Sequence, residues 1–333
     1  MEGGGEKEKG TVCVTGGAGF LASWIIMRLL QHGYTVRTTF RSDPEFKEDV
    51  SHLNALPGAS EKLEIFEADL GKPGSFTEAI NGCIGVFHVA HPNDFTGKTT
   101  QDQMVKLSVE GTLGILKACL DSKTVKRVVY TSSIAAAGLM NDAKDVKEMT
   151  EQIWTEVDAF RTLNIPGISY AVSKTLTERA AIEFAEENGL DLVTLLPSMV
   201  VGPFMGSNLP TSVSLGLSLV FGDEELLKAI KPSCSSVHVD DVASAEIFLF
   251  ECPEAKGRYI CSAAENTIHD LVKFLTVKYP ELQLHTHLLK EIGEAKPGHV
   301  SSKKLMSMGF KFKYGFEETY DEAIKCCKAK GLI

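Results

Sequence analysis

Short apolar runs alternate with longer stretches in which apolar positions return every three or four residues. Thr11–Thr15 reads as a buried strand stopped by the glycines of GGAGF. From Phe20 to His32 the apolar positions recur at helical spacing, and Gly33 ends that pattern. Thr35–Phe40, Lys62–Ala68, Gly85–Ala90 and Val125–Thr131 follow as strands. Helical patterns separate them around Asp43–Leu56, Gly74–Ile80 and Gln101–Leu120. A long helix around Tyr170–Asn188 leads to a strand at Asp191–Leu196. Strand–helix alternation of this kind demands parallel strands joined by right-handed crossovers.

After Pro197 the alternation loosens into short helices, turns and strands, while Val237–Leu249 reads as a return to the main sheet. The expected fold is α/β: a doubly wound parallel (Rossmann) sheet with a smaller C-terminal substrate-binding lobe. Residues 11–197, joined by 236–252, would form the nucleotide-binding domain. Residues 198–235 and 253–333 would form the lobe, and 1–10 a disordered tail.

Composition narrows the function. The 333 residues are 44% hydrophobic and 23% charged, as in a soluble globular protein large enough for an ordinary core. A net charge of -10 argues against nucleic-acid binding, which needs a basic field. No secretory signal is visible, and no apolar run approaches a membrane span, so a cytoplasmic protein without a membrane partner is expected. The eight cysteines show no CxxC pair and read as free thiols. His285 and His287 lack a third ligand in sequence view, so no metal site is expected. A monomer acting on a small molecule is the simplest assembly.

Gly16, Gly19 and Ala22 form a G-x-x-G-x-x-A skeleton between a strand and a helix. Glycines there let the backbone turn tightly and approach a pyrophosphate, which the helix N-terminus then receives. A tight turn with no ligand would also want glycine; position at the first strand of a βαβ unit favours the nucleotide. The end of the second strand selects the cofactor. An NAD site places an acid there, but this chain carries Arg41, with Arg37 nearby. A guanidinium suits a 2′-phosphate, so NADP(H) is expected. The alternative is two solvated arginines. Asp69, after the third strand, can accept from the adenine amino group or simply cap its loop.

Tyr170 and Lys174 lie one helical turn apart, and none of the other six tyrosines has Lys four residues on. Carbonyl reduction needs a proton donor beside the oxygen that receives negative charge. A nearby ammonium would lower a tyrosine's value towards neutrality, and Lys174 can also hold ribose hydroxyls. Thr131, Ser132 and Ser133 end the fifth strand, at the edge where ligands bind in such sheets. One serine can bond the substrate carbonyl; the other would be a strand-end cap. Pro197 turns the chain across the nicotinamide. His238 is assigned a structural role, with Asp240 and Asp241 capping the helix that follows.

The segments VCVTGGAGFLASW, YTVRTTFR, GVFHVAHP, VVYTSS, YAVSKT and LPSMVVGP resemble the plant dihydroflavonol reductase family of extended short-chain dehydrogenases/reductases, from about Thr11 to Leu332. DVSHLNALPGASEKL and AIKCCKAKG are most similar to its vestitone reductase branch. The resemblance implies that Ser133, Tyr170 and Lys174 are catalytic. It implies cofactor contacts at Gly19, Phe20, Leu21, Arg41, Asp69, Leu70, Val89, Ala90, His91, Pro197, Val200 and Ser212, to which the residue reading adds Gly16, Arg37 and Thr131. Substrate contacts would fall at Gly138, Thr211 and Ser235.

Dihydroflavonol reductases carry Asn or Asp where this chain has Gly138, and Gln where it has Ser235. The NWYCYAK-type motif of cinnamoyl-CoA reductases is also not matched by ISYAVSK. The apolar run Ile134–Ala137 is expected to line the pocket beside the carbonyl. The expected function is NADPH-dependent reduction of a ring ketone in plant specialised, isoflavonoid- or flavonoid-like metabolism. Reduction of a conjugated C=C bond, or of an alkaloid or phenylpropanoid carbonyl, would use the same site. A non-catalytic NADP-binding protein is the alternative from another class.

Overall fold

The computed structural model describes residues 9–42, 49–72, 74–92, 99–138, 148–160, 166–223, 233–287, 289 and 300–333. Ten strands occur among them: β1 Thr11–Thr15, β2 Thr35–Phe40, β3 Leu63–Glu67, β4 Gly85–His88, β5 Arg127–Thr131, β6 Leu192–Pro197, β7 Met199–Val201, β8 Ser233–His238, β9 Gly257–Cys261 and β10 Ala264–Thr267. The described helices are α1 Phe20–Gln31, α2 Ser51–Asn54, α3 Ala59–Lys62, α4 Thr77–Ile80, α5 Gln101–Ser122, α6 Pro166–Asn188, α7 Thr211–Gly216, α8 Ser218–Phe221, α9 Val239–Glu251, α10 Ile268–Lys278, α11 Lys303–Ser307 and α12 Phe316–Ala329.

Seven parallel strands form the central sheet in the order β3-β2-β1-β4-β5-β6-β9. The strand order reverses between β1 and β4, and a ligand crevice opens at such a switch point, beyond the strands' C-terminal ends. On one face, Ile25, Ile26 and Leu29 of α1 pack with Ala243 and Ile247 of α9 against Val12, Val14 and Val129. On the other, Ile115, Leu116 and Cys119 of α5 and Ala181 of α6 pack against Cys13, Val86 and Val128. Alternate residues of each strand thus feed opposite cores, so nearly continuous apolar runs are required. None of the described helices is long and apolar enough to cross a membrane.

The chain departs from the expected plan after Pro197. Val239–Glu251 returns to the main sheet as the covering helix α9, while β8, just before it, joins a small three-stranded sheet, β10-β8-β7. The segment Gly257–Cys261, expected in the smaller lobe, is instead the seventh central strand. Its short run GRYIC ends in three consecutive apolar residues, a pattern too brief for periodicity alone to place it in the sheet. A second core joins Val213, Leu217 and Leu219 to Leu271 and Leu275 of α10 and Tyr320 and Ile324 of α12. The helix expected from Asp43 is seen as Ser51–Asn54; its first positions, 43–48, lie outside the described residues.

Candidate active site

The glycine loop is built for close approach. Gly16 has φ +74°, and a side chain there would press to 3.1 Å from the Ala90 backbone. At Gly17 a Cβ would stand 2.2 Å from the Thr38 hydroxyl, so the loop can lie flat on β2 only as glycine. Gly19 is the N-cap of α1 and offers no side-chain cap. The first-turn N–H groups of this twelve-residue helix are therefore left for an anion. Phe20 and Thr211 line one crevice over this loop, together with Ala18, Phe204 and Leu209.

Two residues here escaped the sequence reading. The Ser23 hydroxyl donates to the Gly19 carbonyl at 2.6 Å, and His52 Nε2 meets the same hydroxyl at 3.1 Å. Ser23 lies one turn into α1, where a hydroxyl facing the loop was a readable signal; nothing near His52 in sequence marks it.

Arg41 directly follows β2 at the C-terminal edge, beside the strand that carries the glycine loop, and residues 35–42 contain no acid. Arg37 does not join it. Its guanidinium donates to Glu64 at 2.9 Å and to the Asn81 carbonyl at 2.7 Å, near the start of β4. That is the opposite end of the sheet, so Arg37 is a cross-link between β2, β3 and the chain entering β4, and its cofactor role is withdrawn. Asp69 makes the loop cap: its Oδ1 accepts from the Gly71 N–H at 2.9 Å, and Leu70 follows it, half-buried.

The end of β4 is held by Thr15, whose hydroxyl accepts from the N–H groups of Val89 and Ala90 at 3.1 and 3.0 Å. His91 follows. Its ring stands edge-on to Tyr170 with centroids 5.6 Å apart, and its Nε2 is buried without a hydrogen-bond partner. Burial, reinforced by Lys174, holds His91 neutral. Pro197 ends β6, Val200 sits in β7, Ser212 in α7, and Ser235 pairs with Glu265 between β8 and β10.

Tyr170 and Lys174 project from the first half of α6 towards the end of β5. Burial pushes the Tyr170 hydroxyl up, and the neighbouring Ser133 hydroxyl pulls it down. Ser133 Oγ also accepts from the Ala135 N–H at 3.2 Å, which leaves its proton to donate. Ser132 is the structural serine: its hydroxyl donates to buried Glu178 at 2.8 Å. The Lys174 ammonium donates to the Thr131 carbonyl at 2.9 Å. Burial draws Lys174 down to about 7, opposed by the nearby charges of Glu178 and Glu246. Thr131 faces away from the cleft: its hydroxyl donates to Glu246 at 2.6 Å.

The apolar run after Ser133 is also corrected. Residues 134–136 make one tight 3-10 turn, and Ile134 and Ala137 pack inward against Leu196, Ile260 and Val300. The turn points them into the core, so they do not line the pocket. Only Gly138 leaves the turn, at φ +89°, with its N–H held by Thr155 at 2.9 Å. His238 is structural as expected, but it is the imidazole that caps α9, accepting from the Asp240 N–H at 3.1 Å. The Asp pair does other work: Asp240 grips Arg28 at 2.5 Å, and Asp241 accepts from the backbone of Lys313 and Tyr314.

An uncapped helix N-terminus behind a flat glycine loop, an arginine at the end of β2 and a buried lysine at the cleft form a donor set that fits a phosphorylated dinucleotide. Residues 12–261 match the NAD dependent epimerase/dehydratase family. The chain is 56% identical to noscapine synthase SDR1 of Papaver somniferum, over all of this chain and 95% of that one. It is 50% identical to vestitone reductase of Medicago sativa, covering 98% of this chain and 99% of the relative. The crystal structure of vestitone reductase from alfalfa superposes with a TM-score of 0.85 over 98% of this chain and 100% of that one, at 48% identity. Yeast methylglyoxal/isovaleraldehyde reductase Gre2, complexed with NADPH, superposes with a TM-score of 0.80 at 27% identity, over 97% of this chain and 100% of that one.

Proposed function

We propose, starting from the fact that the chain belongs to the NAD dependent epimerase/dehydratase family, that it is an NADP(H)-dependent oxidoreductase that reduces a ring ketone of the isoflavonoid or flavonoid type. The observation that carries this reading is the meeting of Ser133, Tyr170 and Lys174 at the mouth of a dinucleotide cleft. Gly16, Gly19, Phe20 and Leu21 would hold the pyrophosphate, Arg41 the 2′-phosphate, Asp69 the adenine and Lys174 the ribose hydroxyls. Leu70, Val89, Ala90, His91, Pro197, Val200 and Ser212 complete the cradle. When bound, the dinucleotide supplies the hydride.

The protein's own part is proton delivery and charge stabilisation. Ser133 accepts from the Ala135 N–H and keeps its own proton, which it can donate to the carbonyl oxygen. Tyr170 holds the proton that passes to that oxygen as negative charge develops there. Lys174, fixed by the Thr131 carbonyl, keeps a positive charge behind the tyrosine.

The relative at 56% identity is named for noscapine, which favours an alkaloid carbonyl or alcohol as a second substrate class. A monomer in the cytoplasm suits the reading: among the described residues only Val277, Met306 and Leu332 expose large apolar side chains, and the seven cysteines whose side chains are described are free thiols. The test is turnover of NADPH with isoflavanones, flavanones, dihydroflavonols and alkaloid ketones, with products identified by mass spectrometry. Tight NADPH binding without turnover of any of them would reduce the protein to a cofactor-binding one.

A further inference from the structure

We propose that Glu246 is a positioning residue for this reaction: acting through Thr131, its carboxylate supplies the counter-charge that keeps Lys174 protonated beside Tyr170. This rests on the reading of Tyr170 and Lys174 as the proton-delivering pair.

Lys174 is 3% exposed, and a buried ammonium needs a compensating anion. Two fully buried carboxylates act on it, Glu178 from its own helix and Glu246 from α9. Glu178 is already matched. Its Oε1 accepts from Thr194 at 2.7 Å and from Arg258 Nε at 3.0 Å. Its Oε2 accepts from Ser132 at 2.8 Å and from Arg258 Nη2 at 3.2 Å. Glu178 exerts the larger pull of the two on Lys174, but its carboxylate is shared with the Arg258 guanidinium, a cation of its own.

Glu246 is placed differently. One oxygen accepts from the Thr131 hydroxyl at 2.6 Å, and the other is buried with no hydrogen-bond partner. Thr131 therefore stands between two ions, with its hydroxyl on the carboxylate and its carbonyl on the ammonium. The chain of contacts runs from α9 on one face of the sheet, through the last residue of β5, to α6 on the other. An unpaired buried carboxylate oxygen costs stability, and its place behind the reactive lysine gives that cost a purpose.

Asp241, about one turn and a half before Glu246 on α9, also acts on Cys261 and is tied to the Lys313 and Tyr314 backbone; the histidines, tyrosines and cysteine around this chain carry no charge near neutrality. His88 and His91, at the end of β4, are held neutral by burial. Tyr130 of β5, whose ring lies 5.4 Å from the ammonium, and Cys261 of β9, which feels Glu246, are pushed well above their ordinary values by burial. Tyr170 is pushed up as well. With Glu178 engaged by Arg258, Glu246 is the buried carboxylate whose charged partner is Lys174. Burial brings Lys174 down to about 7 and Glu246 up to about 7, so each one's protonation depends on the other.

The sign follows. An ionised Glu246 favours the charged lysine, so Glu246→Gln should let Lys174 lose its proton at lower pH. Two readouts test this: the pH profile of kcat/KM, and an NMR titration of 13Cε-labelled lysine without added cofactor, with Lys174 assigned by its loss in Lys174→Arg. In Glu246→Gln both the alkaline limb and the Lys174 midpoint are expected to fall by about one pH unit. Glu246→Asp, which keeps the charge, should restore both towards wild type. An unmoved midpoint and limb in Glu246→Gln, with wild type active and Tyr170→Phe inactive, overturns the role of Glu246 alone. An active Tyr170→Phe overturns the reading beneath it. If Glu246→Gln fails to fold, Thr131→Val removes the hydroxyl bridge and should lower the midpoint likewise; an unchanged midpoint there overturns the proposal.

Discussion

The Ser133 hydroxyl acts on the Tyr170 hydroxyl across the gap between α6 and the end of β5, and its pull favours the phenolate. Two hydroxyls thus converge where a carbonyl oxygen would sit. Tyr170→Phe is expected to leave the fold and NADPH binding nearly intact and to remove most turnover. Ser133→Ala should lower kcat by on the order of 10²–10³, the loss for one donor to a developing oxyanion. Steady-state kinetics beside a thermal melt separates the two effects; wild-type kcat in Tyr170→Phe would end the proton-donor assignment.

The sheet, the glycine loop and the Ser–Tyr–Lys set were legible because each depends on local spacing: a strand stopped by glycines, a pair one helical turn apart, hydroxyls at a strand end. Glu178 was not singled out, although Tyr170, Lys174 and Glu178 repeat every four residues along one face of α6 and could have marked it. Glu246 sits among Val242, Ala243 and Ile247 on the buried face of α9, a place where a carboxylate needs a reason. Its partners, Thr131 and Lys174, come from elements far away in sequence, and no periodicity reports such a meeting. Arg37 misled for the same cause: residues 37 and 41 are close in sequence, but β2 carries them to opposite ends of the sheet.

Arg41 and Arg37 now separate cleanly. Arg41→Ala should weaken NADPH by about 1.5–3 kcal/mol, roughly ten- to a hundredfold in Kd, and barely change NADH. Arg37→Ala should leave the NADPH/NADH ratio as it is and lower the melting temperature, because Glu64 and two backbone carbonyls lose their donor. Calorimetric binding of both cofactors to both variants decides it. Equal wild-type affinity for the two cofactors would remove the 2′-phosphate role of Arg41.

His88 gives a pH dependence of stability. It is fully buried between the hydroxyls of Thr15, at 3.0 Å, and Thr112, at 2.9 Å. Burial, then the charge of Lys174, lowers it from 6.5 to about 3. Between those values the unfolded chain binds a proton that the folded protein refuses, so stability is full above about 6.5 and falls on acidification towards 3. At about two units below 6.5 one such histidine removes up to roughly 3 kcal/mol. His238, lowered to about 4 by burial, acts in the same direction. Urea unfolding at neutral and mildly acidic pH is expected to show a smaller acid loss in His88→Gln than in wild type. An equal acid loss in both would exclude His88 as a main contributor.

Gly138 decides the last expectation, about the substrate. It follows the turn that buries Ile134–Ala137, and it holds φ +89°, a region most side chains avoid. Asn tolerates that backbone better than any branched residue, because its short amide bonds locally. Gly138→Asn should therefore fold, whereas Gly138→Val should lose stability by about 1–2 kcal/mol or more. With glycine here and serine at 235, neither of these two positions carries the Asn, Asp or Gln amide or carboxylate that would grip a ring hydroxyl. Burying such a hydroxyl unpaired costs about 1–3 kcal/mol. Less hydroxylated ketones, isoflavanone-like or alkaloid-like, should accordingly outcompete dihydroflavonols by roughly ten- to a hundredfold in kcat/KM. Gly138→Asn should narrow that gap by giving the hydroxyl a partner, with the sheet and the Ser133–Tyr170 pair undisturbed. A competition assay between dihydroquercetin and an isoflavanone, run on wild type and Gly138→Asn, reads both effects at once. Efficient turnover of dihydroquercetin by the unmodified protein would show that another group already pairs with the ring hydroxyls, and the argument from Gly138 would fall.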